Sequence, residues 1–130
     1  MGLRILVVDD DAVICRLAER ALTSQSSNVV QCASSGAEVL GVVKSFHPDL
    51  ILLDLQMPDQ DGFEVLDILS RDADACVVPV IFVTGASSRL GPASQEAVIG
   101  VLSKPFSVST FAKTVEDIYY GRQHIKSSAI

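Results

Sequence analysis

The chain has 130 residues, enough for one ordinary domain that buries its core without staples. Its formal net charge of −6 argues against nucleic acid as a direct partner, because phosphate backbones are bound by clustered Lys and Arg. Apolar residues make up 48%, which fits strands covered on both faces, yet no apolar run approaches the ~18 residues that span a bilayer. Asp9, Asp10 and Asp11 interrupt the N-terminal apolar stretch at once, so it is no signal peptide. Cys15, Cys32 and Cys76 are widely spaced and form no C-x-x-C. They read as reduced core residues of a soluble, cytoplasmic protein rather than as a disulfide or zinc framework.

Arg4–Val8 is β-branched and too short for a helix, and predicts the first strand. Ile14, Leu17, Ala18, Ala21 and Leu22 then follow the i, i+3, i+4 rule of a helix that Asp10 or Asp11 can cap. A second strand is expected over Asn28–Cys32. The stripe Val39, Leu40, Val43 and Phe46 follows as a helix behind Ser34 or Ser35. Leu50–Leu53 predicts the third strand, and Phe63, Leu66 and Leu69 mark the next helix. Val78–Val83 predicts the fourth strand. The Gly-, Ser- and Pro-rich stretch GASSRLGPASQEAVIG after it predicts a short, mobile helix. The fifth strand is expected over Val101–Ser103. A last helix, capped by Ser107, carries Val108, Phe111, Val115 and Ile118. Periodicity fades from Gly121, so the domain is expected to occupy residues 1–120, with 121–130 a frayed tail or the start of a linker.

Strands alternating with helices predict an α/β fold: a single doubly wound, five-stranded parallel sheet of order 2-1-3-4-5 with helices on both faces, flavodoxin-like in layout. Ligands of such sheets bind outside the carboxyl ends of the strands, at the switch point between strands 1 and 3. Reactive groups gather at those ends: Asp9-Asp10-Asp11 after the first, Asp54 after the third, Thr84 after the fourth and Lys104-Pro105 after the fifth. Carboxylates crowded together stay ionised only with a cation among them, and Mg²⁺ suits one or two carboxylates, water and a phosphate oxygen. Asp54 is then the candidate nucleophile for an acyl phosphate, with Lys104 neutralising the transferred oxygens and Thr84 donating a hydrogen bond.

VVDDD, LLDLQMPDQDGFEVL, VIFVTG and LSKPF occur in that order across about Leu3 to Tyr120. The ordered set resembles the receiver domains of two-component response regulators. The resemblance implies that Asp10 is a direct Mg²⁺ ligand and that Asp9 acts through water, with the backbone carbonyl of Gln56 completing the metal site. It makes Asp54 the phosphoacceptor, Thr84 the switch hydroxyl and Lys104 the phosphate-pairing lysine. Receivers take the phosphoryl group from a phosphohistidine on a sensor histidine kinase or a histidine phosphotransfer protein. They are signalling domains that assist their own phosphorylation and dephosphorylation. A homodimer or an output domain is expected to use the 85–120 face. VIGVLSKPF is similar to receivers fused to cyclic-di-GMP phosphodiesterase domains.

The chain departs from the family at Val101, where receivers usually carry Tyr or Phe three residues before the lysine. Without a ring to rotate, the signal is expected to leave through a change in order of residues 85–99. The alternative reading is a haloacid-dehalogenase-like phosphatase, which also uses a strand-end Asp and Mg²⁺. That chemistry needs a second Asp two residues on, and Gln56 stands there.

Overall fold

Side chains of a strand point alternately to its two sides, so short, wholly apolar strands need cover on both faces. The computed structural model describes residues 2–24, 27–57, 60–85 and 97–128, with side chains through residue 121. Its elements are β1 (Arg4–Val8), α1 (Ala12–Thr23), β2 (Val29–Ala33), α2 (Gly36–Phe46), β3 (Leu50–Leu53), α3 (Gly62–Ser70), β4 (Val80–Thr84), β5 (Val98–Ser103) and α4 (Val108–Ser128). The five strands are all parallel and lie in the order β2-β1-β3-β4-β5, as the alternation predicts.

The two faces of the sheet carry separate cores. On one, Leu6, Val8, Ile51, Leu53, Val80 and Phe82 meet Val39 and Val43 of α2 and Val65, Leu66 and Leu69 of α3. On the other, Ile5, Val7, Leu50, Leu52, Ile81 and Val83 meet Ala18, Ala21 and Leu22 of α1 and Phe111 and Val115 of α4. β3 is buried along its whole length because both cores use it. Each fully buried Leu or Ile contributes roughly 1.5–3 kcal/mol.

Helix starts follow local chemistry. The Asp11 carboxylate accepts from the N–H groups of Val13 and Ile14, so Asp11 and not Asp10 caps α1. Ser35 stands at the N-cap of α2 without a side-chain cap bond; its hydroxyl and that of Ser34 donate to Glu38 instead. α3 opens with a capping box in which Asp61 and Glu64 each accept from the other's N–H.

Several boundaries differ from the sequence expectation. β2 starts at Val29 because Asn28 turns its side chain inward: it accepts from the N–H of Leu3 and donates to Leu22 O and Glu116. β4 starts at Val80 rather than Val78 and ends on Thr84. β5 begins at Val98 instead of Val101, its pairing with β4 slipping between Val80 and Ile81. Gly100 sits in that strand because a Cβ there would stand 2.9 Å from Ile118 of α4. α4 stays helical past Gly121 to Ser128, so the fading apolar pattern does not end the helix. The short helix expected between β4 and β5 falls on residues 86–96, outside the described residues. Only Cys15 of the three cysteines is a core residue: Cys32 is half-buried and Cys76 exposed.

The end of the sheet where β1 begins is tied by Arg4. Its Nε and Nη2 donate to Phe46 O at 2.9 and 2.6 Å, and its guanidinium lies 4.3 Å from the Phe46 ring centroid. Asp49 accepts from the Arg4 N–H at 2.8 Å and donates its own N–H to Arg4 O at 2.7 Å. Between them His47 takes a left-handed conformation, φ 54°, and ends α2.

Glycine substitutions test this packing. A Cβ on Gly62 would meet Leu55 Cδ2 at 2.7 Å and Asp54 O at 2.8 Å, whereas one on Gly41, inside α2, would meet nothing within 4 Å. Gly62→Ala is expected to cost about 1–3 kcal/mol in urea unfolding through overpacking. Gly41→Ala is expected to add about 0.5–1 kcal/mol, the helix preference for alanine.

Candidate phosphoacceptor and metal site

Backbone hydrogen bonds carry the sheet one residue beyond the strands and so place the reactive groups. Asp9 N–H donates to Ala33 O at 3.1 Å, Asp54 N–H to Val8 O at 3.0 Å and Lys104 N–H to Thr84 O at 2.9 Å. Val8 is paired with Leu53 and Thr84 with Ser103, which sets Asp54 beside Asp9 and Lys104 beside Thr84. The loop beyond Lys104 runs through a cis bond to Pro105 and is anchored by Phe106, stacked on Phe111 of α4 at 4.1 Å.

One ligand oxygen from each of Asp9, Asp10 and Asp54 lies within 4.8 Å of the others. Asp9 and Asp54 are buried, Asp10 is exposed. Lys104 reaches into the cluster: Nζ stands 2.7 Å from Asp9 Oδ2 and 3.5 Å from Asp54 Oδ1. Three carboxylates and one ammonium leave two negative charges uncompensated, which is the setting for a bound cation. A hard, all-oxygen donor set with water access at Asp10 fits Mg²⁺. Asp9 also accepts from the N–H of Asp11 at 2.9 Å, and Asp54 from the N–H of Gln56 at 3.1 Å.

These contacts shift protonation. Burial pushes the Asp54 carboxyl above its ordinary range, aided by the Asp9 charge; the Gln56 N–H and Lys104 oppose the rise without cancelling it. For Lys104, burial alone would lower the value, but the hydrogen bond and charge of Asp9, then those of Asp54, outweigh it and hold the ammonium above its usual range. Thr84 is wholly buried at the end of β4.

The structure thus brings Asp9, Asp10, Asp54 and Lys104 together, with Gln56 contributing an N–H to Asp54 and Thr84 joined to Lys104 through the backbone. Sequence reasoning paired Lys104 with a phosphoryl group and did not find its ion pair with Asp9. Nor did it find the sulfur contact at this site, in which Cys15 Sγ donates to Asp9 O at 3.4 Å.

The response regulator receiver domain model matches residues 5–116. DivK, a polar-differentiation response regulator of Brucella ovis, is 32% identical over 117 residues, 86% of this chain and 92% of that protein. Among solved structures, the N-terminal domain of a response regulator receiver protein from Methanoculleus marisnigri JR1 superposes with a TM-score of 0.71 at 28% identity, covering 95% of each chain. The chemotaxis response regulator CheY4 of Vibrio cholerae shares the fold, with a TM-score of 0.76 at 24% identity over 91% of this chain and 99% of that one. A haloacid-dehalogenase-like phosphatase finds no support in these likenesses. The chain belongs to the response regulator receiver domain family, the signalling domains of two-component systems.

Proposed function

We propose that the chain is switched by a phosphoryl group carried on Asp54 and received beside a Mg²⁺ ion. The observation that carries this reading is the meeting of Asp54 with Asp9, Asp10 and Lys104 in one pocket at the carboxyl ends of β1, β3 and β5. Asp10 and Asp54 would hold the ion directly, with the Gln56 carbonyl, and Asp9 through water. Bound there, Mg²⁺ would supply positive charge against the phosphoryl oxygens. An Asp54 oxygen forms the new P–O bond as the P–N bond to a donor phosphohistidine breaks and the imidazole leaves. Lys104, already 3.5 Å from Asp54, would leave Asp9 to pair with the phosphoryl group, and Thr84 would donate its hydroxyl. The same residues would assist hydrolysis of the acyl phosphate.

The donor in this reading is a sensor histidine kinase or a histidine phosphotransfer protein, met in the cytoplasm. No helix of the described residues is long and apolar enough to cross a membrane. Residues 1–120 would form the receiver, with 121–130 leading toward an output domain such as a cyclic-di-GMP phosphodiesterase. The 85–120 face would meet that domain or a second copy of the chain. Val101, Val108 and Tyr120 support this, each leaving 41% of its surface exposed. Val98, Ile99 and Leu102 serve the cores instead.

Treatment with a small phosphodonor and Mg²⁺ is expected to add one phosphoryl mass, and Asp54→Asn to abolish the addition. Full labelling of that variant would sink the assignment. In calorimetry, Asp9→Ala is expected to lower Mg²⁺ affinity on the order of tenfold, the scale of a lost outer-shell contact. Asp10→Ala is expected to lower it further, and equal or stronger binding by Asp10→Ala would reverse the ligand roles.

The raised Asp54 carboxyl also gives a pH signature. The folded state holds this proton more tightly than the unfolded chain, so stability falls as pH rises through the window above the ordinary value of 3.8. Without divalent cation, Asp54→Asn is therefore expected to melt above the parent at neutral pH, the difference fading as pH falls toward 3.8. Mg²⁺ should then raise the melting temperature of the parent more than that of the variant. Thermal melts followed by circular dichroism would check both statements, and a variant no more stable than the parent at neutral pH would refute the first.

A further inference from the structure

Cys15 and Cys32 are far apart in sequence but meet where α1 packs on β2. Cys32 Sγ donates to Cys15 O at 3.7 Å, which sets the Cys32 thiol against Cys15. Both line an open pocket of about 280 Å³ whose other walls include Asp9, Arg16, Glu19 and Glu38, so a small oxidant can reach them. Cys32 is half-buried and Cys15 buried. Cys32 is the more exposed of the two, which favours it as the sulfur that meets the oxidant first.

The pair also brackets one arm of the acidic site. Cys15 Sγ donates to Asp9 O at 3.4 Å, and Ala33, next to Cys32, accepts the Asp9 N–H at 3.1 Å. Both backbone groups of Asp9 are therefore held by this thiol or by the neighbour of the other. A disulfide has no hydrogen to donate, so oxidation removes the bond to Asp9 O.

We propose that Cys15 and Cys32 are a modification site, forming a reversible intrachain disulfide that loosens Asp9 and weakens metal binding at the acidic cluster. The coupling to metal rests on the reading of the acidic site given above; the disulfide itself does not. Two S–H bonds break and one S–S bond forms. The two electrons and two protons pass to a peroxide, which becomes water, or to a small-molecule disulfide, which becomes two thiols. A dithiol reductant reverses the step.

The test uses the full chain carrying Cys76→Ser, since Cys76 is exposed and would cross-link copies. After hydrogen peroxide or oxidised glutathione, non-reducing peptide mapping is expected to show one cross-linked species containing Cys15 and Cys32, lost on adding dithiothreitol. Calorimetry is expected to show Mg²⁺ affinity falling about tenfold on oxidation, as for other outer-shell losses, and recovering on reduction. The double variant Cys15→Ser, Cys32→Ser should not respond. If it fails to fold, Cys32→Ser alone removes the cross-link at the more exposed position. Separate glutathione adducts with no cross-link would overturn the disulfide. A cross-linked protein with unchanged Mg²⁺ affinity would overturn the coupling alone, whereas a reduced protein that binds no Mg²⁺ would overturn the metal reading and the coupling with it.

Discussion

One backbone hydrogen bond, from the N–H of Asp54 to Val8 O at 3.0 Å, sets the register on which the site depends. It locks the end of β3 against β1, so that Asp54 must stand next to Asp9 whatever the charges prefer. A slip of one residue would turn every β3 side chain to the opposite face and exchange the two cores. It would also carry Asp49 or Asp54 into a core position now held by Leu50 or Leu53, and the cost of burying that carboxylate opposes the slip. Hydrophobic packing thus forces carboxylates together, and Lys104 relieves only part of the repulsion. The pocket keeps a residual demand for positive charge that the fold does not satisfy by itself.

Much of the scaffold was legible because β1, β3 and β5 are short, largely apolar runs followed by a charged residue that a core refuses. Val8 gives way to Asp9, Leu53 to Asp54 and Ser103 to Lys104, and those breaks mark both the strand ends and the chemistry. What escaped the sequence depends on distant partners or on side chains acting against type. Asn28 reads as a strand residue until its amide is found between Leu3, Leu22 and Glu116. β5 was read short because its first half is an edge strand around Gly100, whose missing Cβ makes room for Ile118 of a later helix. The length of α4 beyond Gly121 carries no apolar stripe to announce it.

The capping box at Asp61 and Glu64 has a local signature, an acidic pair three apart ahead of the apolar stripe of α3. The meeting of Cys15 and Cys32 had no local signal at all, since helix and strand are joined there only by the tertiary fold. The same holds for Lys104, whose partner is Asp9 at the far end of the chain. Charge type and strand position foretold that a lysine would enter the pocket, while which carboxylate it meets follows from the geometry.

The Arg4 contacts tie down one end of the central strands. Guanidinium, aromatic ring, the Asp49 carboxylate and one backbone bond bind β1, the end of α2 and the start of β3 into one corner. That corner lies at the opposite end of the central strands from the carboxylates. A change of charge at the rim therefore reaches this corner only along the strands themselves, whose side chains are buried on both faces. Both ends of the central strands are thus tied, one by Arg4 and Asp49 and the other by the backbone bonds of Asp9, Asp54 and Lys104.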